Sequence, residues 1–161
     1  MRRTRLIVAA AVVAVVLLVV LAPVASAAPR TAAAGVWTWE GYGEPVVKAH
    51  PGGNTILIGT EHGWWTGTFE GASDESFFAV FTPTGGLWAK MMIDFTGSAN
   101  GVEGGFTMAL TVFATPGSET MNGHWVIQNG SGGLRHLHGN GMWLSRPNQS
   151  VADYAGSISL E

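Results

Sequence analysis

The fold is decided by residues 125–143, which read WVIQNGSGGLRHLHGNGMW. Two short apolar runs flank a crossing that is dense in glycine, with a glycine near each place where the chain must bend. A helix does not tolerate this density, because each glycine costs about 1 kcal/mol relative to alanine in a helix interior. A tightly curved antiparallel sheet does use glycine, at bulges and at barrel corners. The stretch therefore predicts a small β-barrel and leaves its chemistry open.

The rest of the chain after residue 35 is patterned as short strands. Apolar side chains alternate along residues 106–114, and Met91, Ile93 and Phe95 share one face of a predicted strand, with Asp94 opposite. Further strands are predicted at 36–40, 45–49, 55–60, 64–70, 76–82, 123–128, 134–144 and 152–160, with turns that include 71–74 and 83–86. Short strands separated by such turns are typical of barrels and sandwiches, and closure hides the sheet edges. We predict an all-β fold, a single antiparallel closed β-barrel of about eight strands.

The N-terminal segment has the pattern of a secretory signal peptide. Met1–Arg5 is basic, residues 6–21 are an unbroken apolar run, and Ala25-Ser26-Ala27 is a cleavage pattern. The run is short for a membrane span, which takes about 20 residues. We therefore predict a signal peptide at 1–27, a flexible lead-in at 28–34, a barrel domain at 35–161, and an extracellular location without a stable membrane span.

Composition excludes several classes of function. Without Arg2, Arg3 and Arg5, five basic residues face eleven acidic ones, which gives a net charge of −6. Such a domain lacks the basic footprint that nucleic acids and anionic lipids require. The chain has no cysteine, so neither disulfides nor thiolate chemistry are available. Seven Trp and seven Phe supply the large side chains that a core without disulfides needs.

Two groups of residues resemble one family. GTFEG at 67–71, with Asp74 and the apolar run 76–81, resembles the early hairpin of allene oxide cyclase barrel-like proteins. WVIQNGSGGL at 125–134, LHGNGMW at 137–143 and YAG at 154–156 resemble that family's signature, G-T/S-G-x-L followed by L-x-G-x-G. Dirigent proteins share the signature in looser form, and the resemblance covers roughly residues 36–160.

The resemblance implies an eight-stranded barrel with an apolar interior, in many members a dimer or trimer. It implies a small apolar ligand in that interior and, if the protein is an enzyme, a cofactor-independent isomerase or cyclase. Such an enzyme uses a carboxylate on its first strand, the position that Glu40 occupies here. We expect the interior to be lined or filled by Phe106, Met108, Met91, Met92, Ile93, Phe95 and Trp65.

The remaining polar residues favour no other catalytic chemistry. Glu61 and Glu70 are expected at the rim, in contact with water. His136 and His138 would share a strand face, but no third ligand lies at a recognisable spacing, so no metal site is predicted.

Two alternatives stay open. One is a non-catalytic binding module, either streptavidin-like, because GVW at 35–37 and TGTF at 66–69 resemble its opening strands, or sugar-binding through a surface tryptophan. Trp64 and Trp65 are adjacent, so on a strand one faces inward and the other outward. The other alternative is a structural extracellular protein with a filled barrel.

Overall fold

The chain forms strands throughout the part that the structure, a computed structural model, describes: residues 28–50 and 52–161. The strands are β1 (Thr31–Tyr42), β2 (Val46–Ala49), β3 (Thr55–Gly67), β4 (Phe69–Phe81), β5 (Leu87–Ala99), β6 (Val102–Ala114), β7 (Asn122–Gly132), β8 (Leu137–Ser145) and β9 (Val151–Leu160). Within those residues, no helix has the length and hydropathy needed to cross a membrane. The predicted signal peptide lies outside the described residues.

Eight of the strands close into an antiparallel barrel. The order is β1-β9-β8-β7-β6-β5-β4-β3, and β1 pairs back with β3 to complete the circle. The short β2 pairs only with β3 and lies outside the barrel wall. The predicted fold class is therefore confirmed. Closure leaves the barrel strands without a free edge. An open sheet would instead expose unpaired backbone N–H and C=O groups, to which another chain could pair.

The barrel begins earlier in the chain than the composition suggests. β1 starts at Thr31 rather than at Gly35, and residues 31–34, placed in the predicted lead-in, pair with 155–158 of β9. Ala33 is 1% exposed, so this segment contributes to the core. Small alanine side chains made the segment look like a linker, whereas here they fit a crowded barrel wall.

The hairpin of β3 and β4 corrects a predicted turn. Residues 71–74 were expected to turn the chain, but they lie inside β4, and the chain reverses at residues 67–68 instead. Gly71 is needed for close approach, because a Cβ there would lie 2.2 Å from the Thr96 carbonyl oxygen on β5. Ser73 is buried and accepts a hydrogen bond from the Trp65 indole at 2.8 Å. Residue types common in turns thus serve strand contact and interior polarity here.

The two ends of the barrel interior are filled differently. At the end that carries the 67–68 and 100–101 turns, six aromatic side chains pack ring against ring, with centroid distances of 4.5–6.0 Å. They are Trp65, Phe69, Phe95, Phe106, Trp125 and Tyr154, all 4% exposed or less. We call this group the aromatic plug and its end the plugged end. The opposite end, at loops 82–86, 115–121 and 146–150, is the open end.

The glycines of the opening stretch accommodate the plug. Gly141 on β8 pairs with Gly156 on β9. A Cβ on either residue would lie 2.4–2.5 Å from the Trp125 ring, well inside van der Waals contact. Glycine at this pair therefore makes room for the Trp125 indole against the barrel wall.

Candidate functional site

A cavity of about 310 Å³ occupies the open end of the barrel. Its wall is almost entirely apolar and aromatic, formed by Trp37, Trp39, Leu57, Phe77, Ala79, Phe81, Leu87, Ala89, Met91, Val112, Met121, Trp143 and Val151. The polar members of the lining are Glu61, Ser145, Gln149 and Ser150. Gln149 and Ser150 are exposed residues of the β8–β9 loop, so the cavity meets solvent there. Its size matches the lower range of small-molecule pockets, about 300–1,000 Å³.

The cavity exists because small side chains meet on neighbouring strands. Ala79 of β4 pairs with Ala89 of β5, and Ala89 pairs in turn with Val112 of β6. Both alanines are at most 6% exposed and both line the cavity. One position nearer the plug on the same wall, the pair is Phe77 and Met91, which are larger. The interior is therefore wide near the open end and narrow towards the plugged end.

One side of the mouth is braced by an ion pair. Arg146 donates two hydrogen bonds to Asp153, from Nε to Oδ2 at 2.9 Å and from Nη2 to Oδ1 at 2.5 Å. This bond lowers the pKa of the Asp153 carboxyl below its usual range. The backbone amide of Arg146 also donates to the Val151 carbonyl at 3.0 Å, so the β8–β9 loop is tied to both strands that it joins.

Two glutamates meet at the inner wall of the cavity. Glu61 of β3 and Glu75 of β4 are direct cross-strand partners. Side chains of such partners lie on the same face of the sheet, with Cβ atoms about 4.5–5.5 Å apart. Glu61 is half-buried and lines the cavity, whereas Glu75 lies behind it and is 2% exposed. We call these two side chains the carboxyl pair.

The hydrogen bonds of Glu75 are divided unequally between its oxygens. Its Oε1 accepts from the Trp37 indole at 2.8 Å and from the Ser73 hydroxyl at 2.6 Å. Ser73 itself accepts from Trp65, so the plug and the cavity are joined through one polar chain. Oε2 of Glu75 is buried and receives a hydrogen bond from no donor. When Glu75 is protonated, its O–H can donate to the neighbouring Glu61 carboxyl, because a protonated carboxyl has one donor whereas a carboxylate has none.

The surroundings of the carboxyl pair favour the protonated form of Glu75. Burial, followed by the neighbouring Glu61 carboxyl, raises the pKa of Glu75 to about 8, although Ser73 and Trp37 lower it. Burial also raises the pKa of Glu61, while the proximity of Glu75, which as a protonated carboxyl can donate to it, lowers it. The cause is shared, because the apolar interior solvates a charged carboxylate poorly. Glu75, with its pKa raised to about 8, therefore keeps its proton at neutral pH, and the two carboxyl groups titrate as one coupled pair.

The residues that were expected to bind a ligand lie in different parts of the barrel: in the cavity lining, in or against the plug, and on the outer face. Met91 lines the cavity. The others that face the interior, namely Phe106, Met108, Ile93, Phe95 and Trp65, are at most 4% exposed and lie outside the cavity lining, in the plug or against it. Met92 was expected inside but is 38% exposed on the outer face, because it neighbours inward-facing Met91 along β5.

The expected carboxylate lies outside the barrel and an unexpected one lies inside. Glu40 is exposed on β1, next to Trp39, which lines the cavity. Glu61 was expected in water at the rim, whereas it faces the cavity. Glu75 was not singled out at all. The signal was available in the pattern, since Glu61, Gly63 and Trp65 share one face of β3, but alternation alone does not say which face points inward.

The remaining candidate positions are on the surface. His136 and His138 are both exposed. Among the residues that the structure describes, no three His, Cys, Asp or Glu side chains are grouped closely enough to hold a metal ion. Trp65 is 1% exposed and Trp64 is 46% exposed, so the adjacent indoles do face opposite sides. The other exposed indole, Trp88, is on β5, and β4 separates it from Trp64 on β3.

A second hollow is lined by residues of β3 to β7. Its volume is about 420 Å³, and its outward-facing residues include Phe78, Lys90 and Met92. None of the described residues that line this hollow has a buried side-chain polar atom without a partner. The interior cavity, which has both an enclosing aromatic wall and a buried carboxyl, is therefore the stronger candidate site.

Comparison with known proteins extends to the fold alone. No protein-family model matches the chain, and neither does any curated protein. The barrel is similar to a crystal structure from Shewanella oneidensis MR-1, a protein with unknown function from the DUF3224 family. The TM-score is 0.70 at 20% sequence identity, over 83% of this chain and 98% of that chain. A shared barrel at this identity does not carry an activity from one chain to the other.

Proposed function

We propose that this protein is a secreted β-barrel that binds a small, largely apolar molecule in the cavity at its open end. The carrying observation is the cavity itself, about 310 Å³ of space walled by aromatic and aliphatic side chains. A structural protein with a filled barrel has no need of such a space, since protein interiors normally leave few voids larger than a water molecule. The N-terminal pattern at residues 1–27 supports export.

A cofactor-independent isomerase or cyclase is the second candidate. The observation in its favour is the carboxyl pair, because a carboxylic acid with a pKa raised towards neutrality can donate and accept protons at physiological pH. In this version the acting carboxyl is Glu61, which reaches the cavity, rather than Glu40, which is exposed on the outer wall. The resemblance to allene oxide cyclase barrel-like proteins supports the same chemistry.

Filling the cavity tests the proposed function. The probe is N-phenyl-1-naphthylamine, an apolar dye whose fluorescence rises in apolar surroundings, titrated into the mature protein. Ala89→Phe places a ring in the cavity, and we expect it to weaken dye binding by about tenfold or more, or about 1.4 kcal/mol. Ala72→Phe is the matched control, because Ala72 is exposed on the outer face of β4.

The variants also guard against misfolding. Ala79→Leu adds a smaller group to the same part of the cavity, and urea unfolding of each variant shows whether the fold is intact. Wild-type protein that does not bind the dye, or folded Ala89→Phe and Ala79→Leu variants that bind it as wild type does, would overturn the proposal. Analysis of the extracted small molecules for a rearranged product of unchanged mass separates a binder from an isomerase.

A further inference from the structure

The described residues that line the cavity can carry negative charge but no positive charge. Glu61 is the only ionisable side chain among the described residues that line the cavity, and no Lys, Arg or His joins it there. Arg146, in the β8–β9 loop beside the mouth, is already bound to Asp153 through two hydrogen bonds. A carboxylate in such an apolar space is poorly solvated unless a positive group approaches it. The protein itself does not supply one from the described lining.

The carboxyl pair places Glu61 against the cavity and Glu75 behind it. Glu75 is fixed by Trp37 and Ser73 at one oxygen, which leaves its buried Oε2 opposite Glu61. With the proton kept on Glu75, the negative charge that the pair can carry falls on Glu61, its member in contact with the cavity. Two carboxylates at this separation do not both ionise readily, because like charges repel.

The walls around Glu61 suit a cation with an organic body. The indoles of Trp37, Trp39 and Trp143 all line the cavity, and the Trp37 and Trp143 ring centroids lie 5.9 Å apart at 59°. Phe77 and Phe81 complete an aromatic enclosure. The faces of aromatic rings attract cations through their quadrupole, most strongly for tryptophan and where water is excluded. Aromatic faces and one carboxylate together are the chemistry that recognises an organic ammonium ion.

We propose that the ligand of the cavity is a small aromatic or aliphatic molecule with a single ammonium group, which lies between Glu61 and the tryptophans. This inference rests on the proposed function and deepens it, because it assigns the charged end of the ligand. The apolar body fills the space beside Ala79 and Ala89, and the ammonium group neutralises the carboxyl pair. A neutral molecule of the same shape gains only the apolar contacts.

Three ligands with one skeleton test the charge preference: 2-phenylethylamine, 2-phenylethanol and phenylacetate. Calorimetric titration at pH 7.5 measures their affinities for the mature protein. We expect the amine to bind about tenfold more tightly than the alcohol, and phenylacetate more weakly than either. In Glu61→Gln we expect the amine and the alcohol to bind with similar affinity, because the charge that favours the amine is gone. Glu40→Gln removes the same charge from the outer wall and leaves the preference unchanged.

A quaternary ligand separates the protonation of the site from that of the ligand. Phenethyltrimethylammonium keeps its charge at every pH, so any pH dependence of its affinity belongs to the protein. The ionisable groups that face the site from the described lining are Glu61 and, behind it, Glu75. We expect its affinity to fall as the pH is lowered through the raised pKa of Glu61, and to be independent of pH in the double variant Glu61→Gln/Glu75→Gln.

The outcomes distinguish the two proposals. Equal affinity of amine and alcohol for wild type, or a preference that persists in folded Glu61→Gln, overturns the ammonium assignment and leaves an apolar binder. Tighter binding of phenylacetate overturns it as well. Failure of all these ligands and of the apolar dye overturns the proposed function together with this inference.

Discussion

Replacing Glu75 with glutamine tests the central electrostatic feature of the barrel. The substitution keeps the shape of the side chain and an oxygen that can accept from Trp37 and Ser73, but removes the titrating group. In the wild type, the pKa of Glu75 rises from an ordinary 4.5 to about 8 because the side chain is 2% exposed and next to Glu61. One pKa unit corresponds to about 1.4 kcal/mol, so the full difference amounts to about 5 kcal/mol.

The direction of the pH dependence of stability follows from whether the folded or the unfolded chain holds the Glu75 proton. Below pH 4.5 the carboxyl is protonated in both states and has no effect on the pH dependence of stability. Between pH 4.5 and about 8 the unfolded chain loses the proton while the folded protein keeps it, so the folded state binds more protons. The free energy of unfolding of the wild type therefore falls as the pH rises through this window. In Glu75→Gln this contribution is absent. The free energy of unfolding of the variant therefore increases relative to that of the wild type as the pH rises.

Urea unfolding followed by tryptophan fluorescence, from pH 5 to pH 9, measures this difference. For an m-value of about 2 kcal/mol/M, a change of about 5 kcal/mol moves the midpoint difference between the two proteins by about 2.5 M urea. Glu40→Gln is the control for a lost surface charge, and its curve should run parallel to that of the wild type. Parallel curves for Glu75→Gln and wild type across the window would refute the buried, protonated carboxyl.

Two further substitutions test the packing of the plugged end. We expect Gly156→Ala to lower the free energy of unfolding by about 1–3 kcal/mol, because the added Cβ would lie 2.2 Å from the Asn140 carbonyl oxygen and 2.5 Å from the Trp125 ring. Ala155→Ser, at an exposed neighbouring position, is the control. An unchanged thermal midpoint for Gly156→Ala would contradict this geometry. Tyr154→Phe leaves the buried Phe69 amide without the hydroxyl that accepts its hydrogen bond at 2.9 Å. We therefore expect the free energy of unfolding, measured in urea, to fall by about 1–3 kcal/mol. An unaltered urea midpoint would show that this bond does not stabilise the fold.

The fold class could be predicted from local pattern because its signals are local. Glycine density in residues 125–143 excludes a helix, and strict alternation in residues 106–112 predicts a strand with one apolar face. In the barrel, Phe106, Met108, Leu110 and Val112 do face inward, all 4% exposed or less. The number of strands follows from the turn signals to within one. These features depend on short stretches of chain, which the sequence shows directly.

The turn at residues 71–74 shows where local pattern fails. Gly, Ala, Ser and Asp in succession are typical of a turn, but here Gly71 allows close contact with β5 and Ser73 binds the Trp65 indole. Both roles depend on partners that are distant along the chain or on another strand. Residue type therefore gave the wrong local structure, because the physical demand came from across the barrel wall.

The sequence by itself determined that this chain forms a curved, closed, all-β barrel rich in buried aromatic residues. Only the tertiary structure decided that six large aromatics pack against one another at one end, that Ala79 and Ala89 meet to leave a cavity at the other, and that Glu61 and Glu75 face each other there. The physical reason is register: side chains alternate with a period of two, so pairing between strands sets which face is inside and which residues become neighbours. That pairing is a property of the closed sheet, and no single strand contains it.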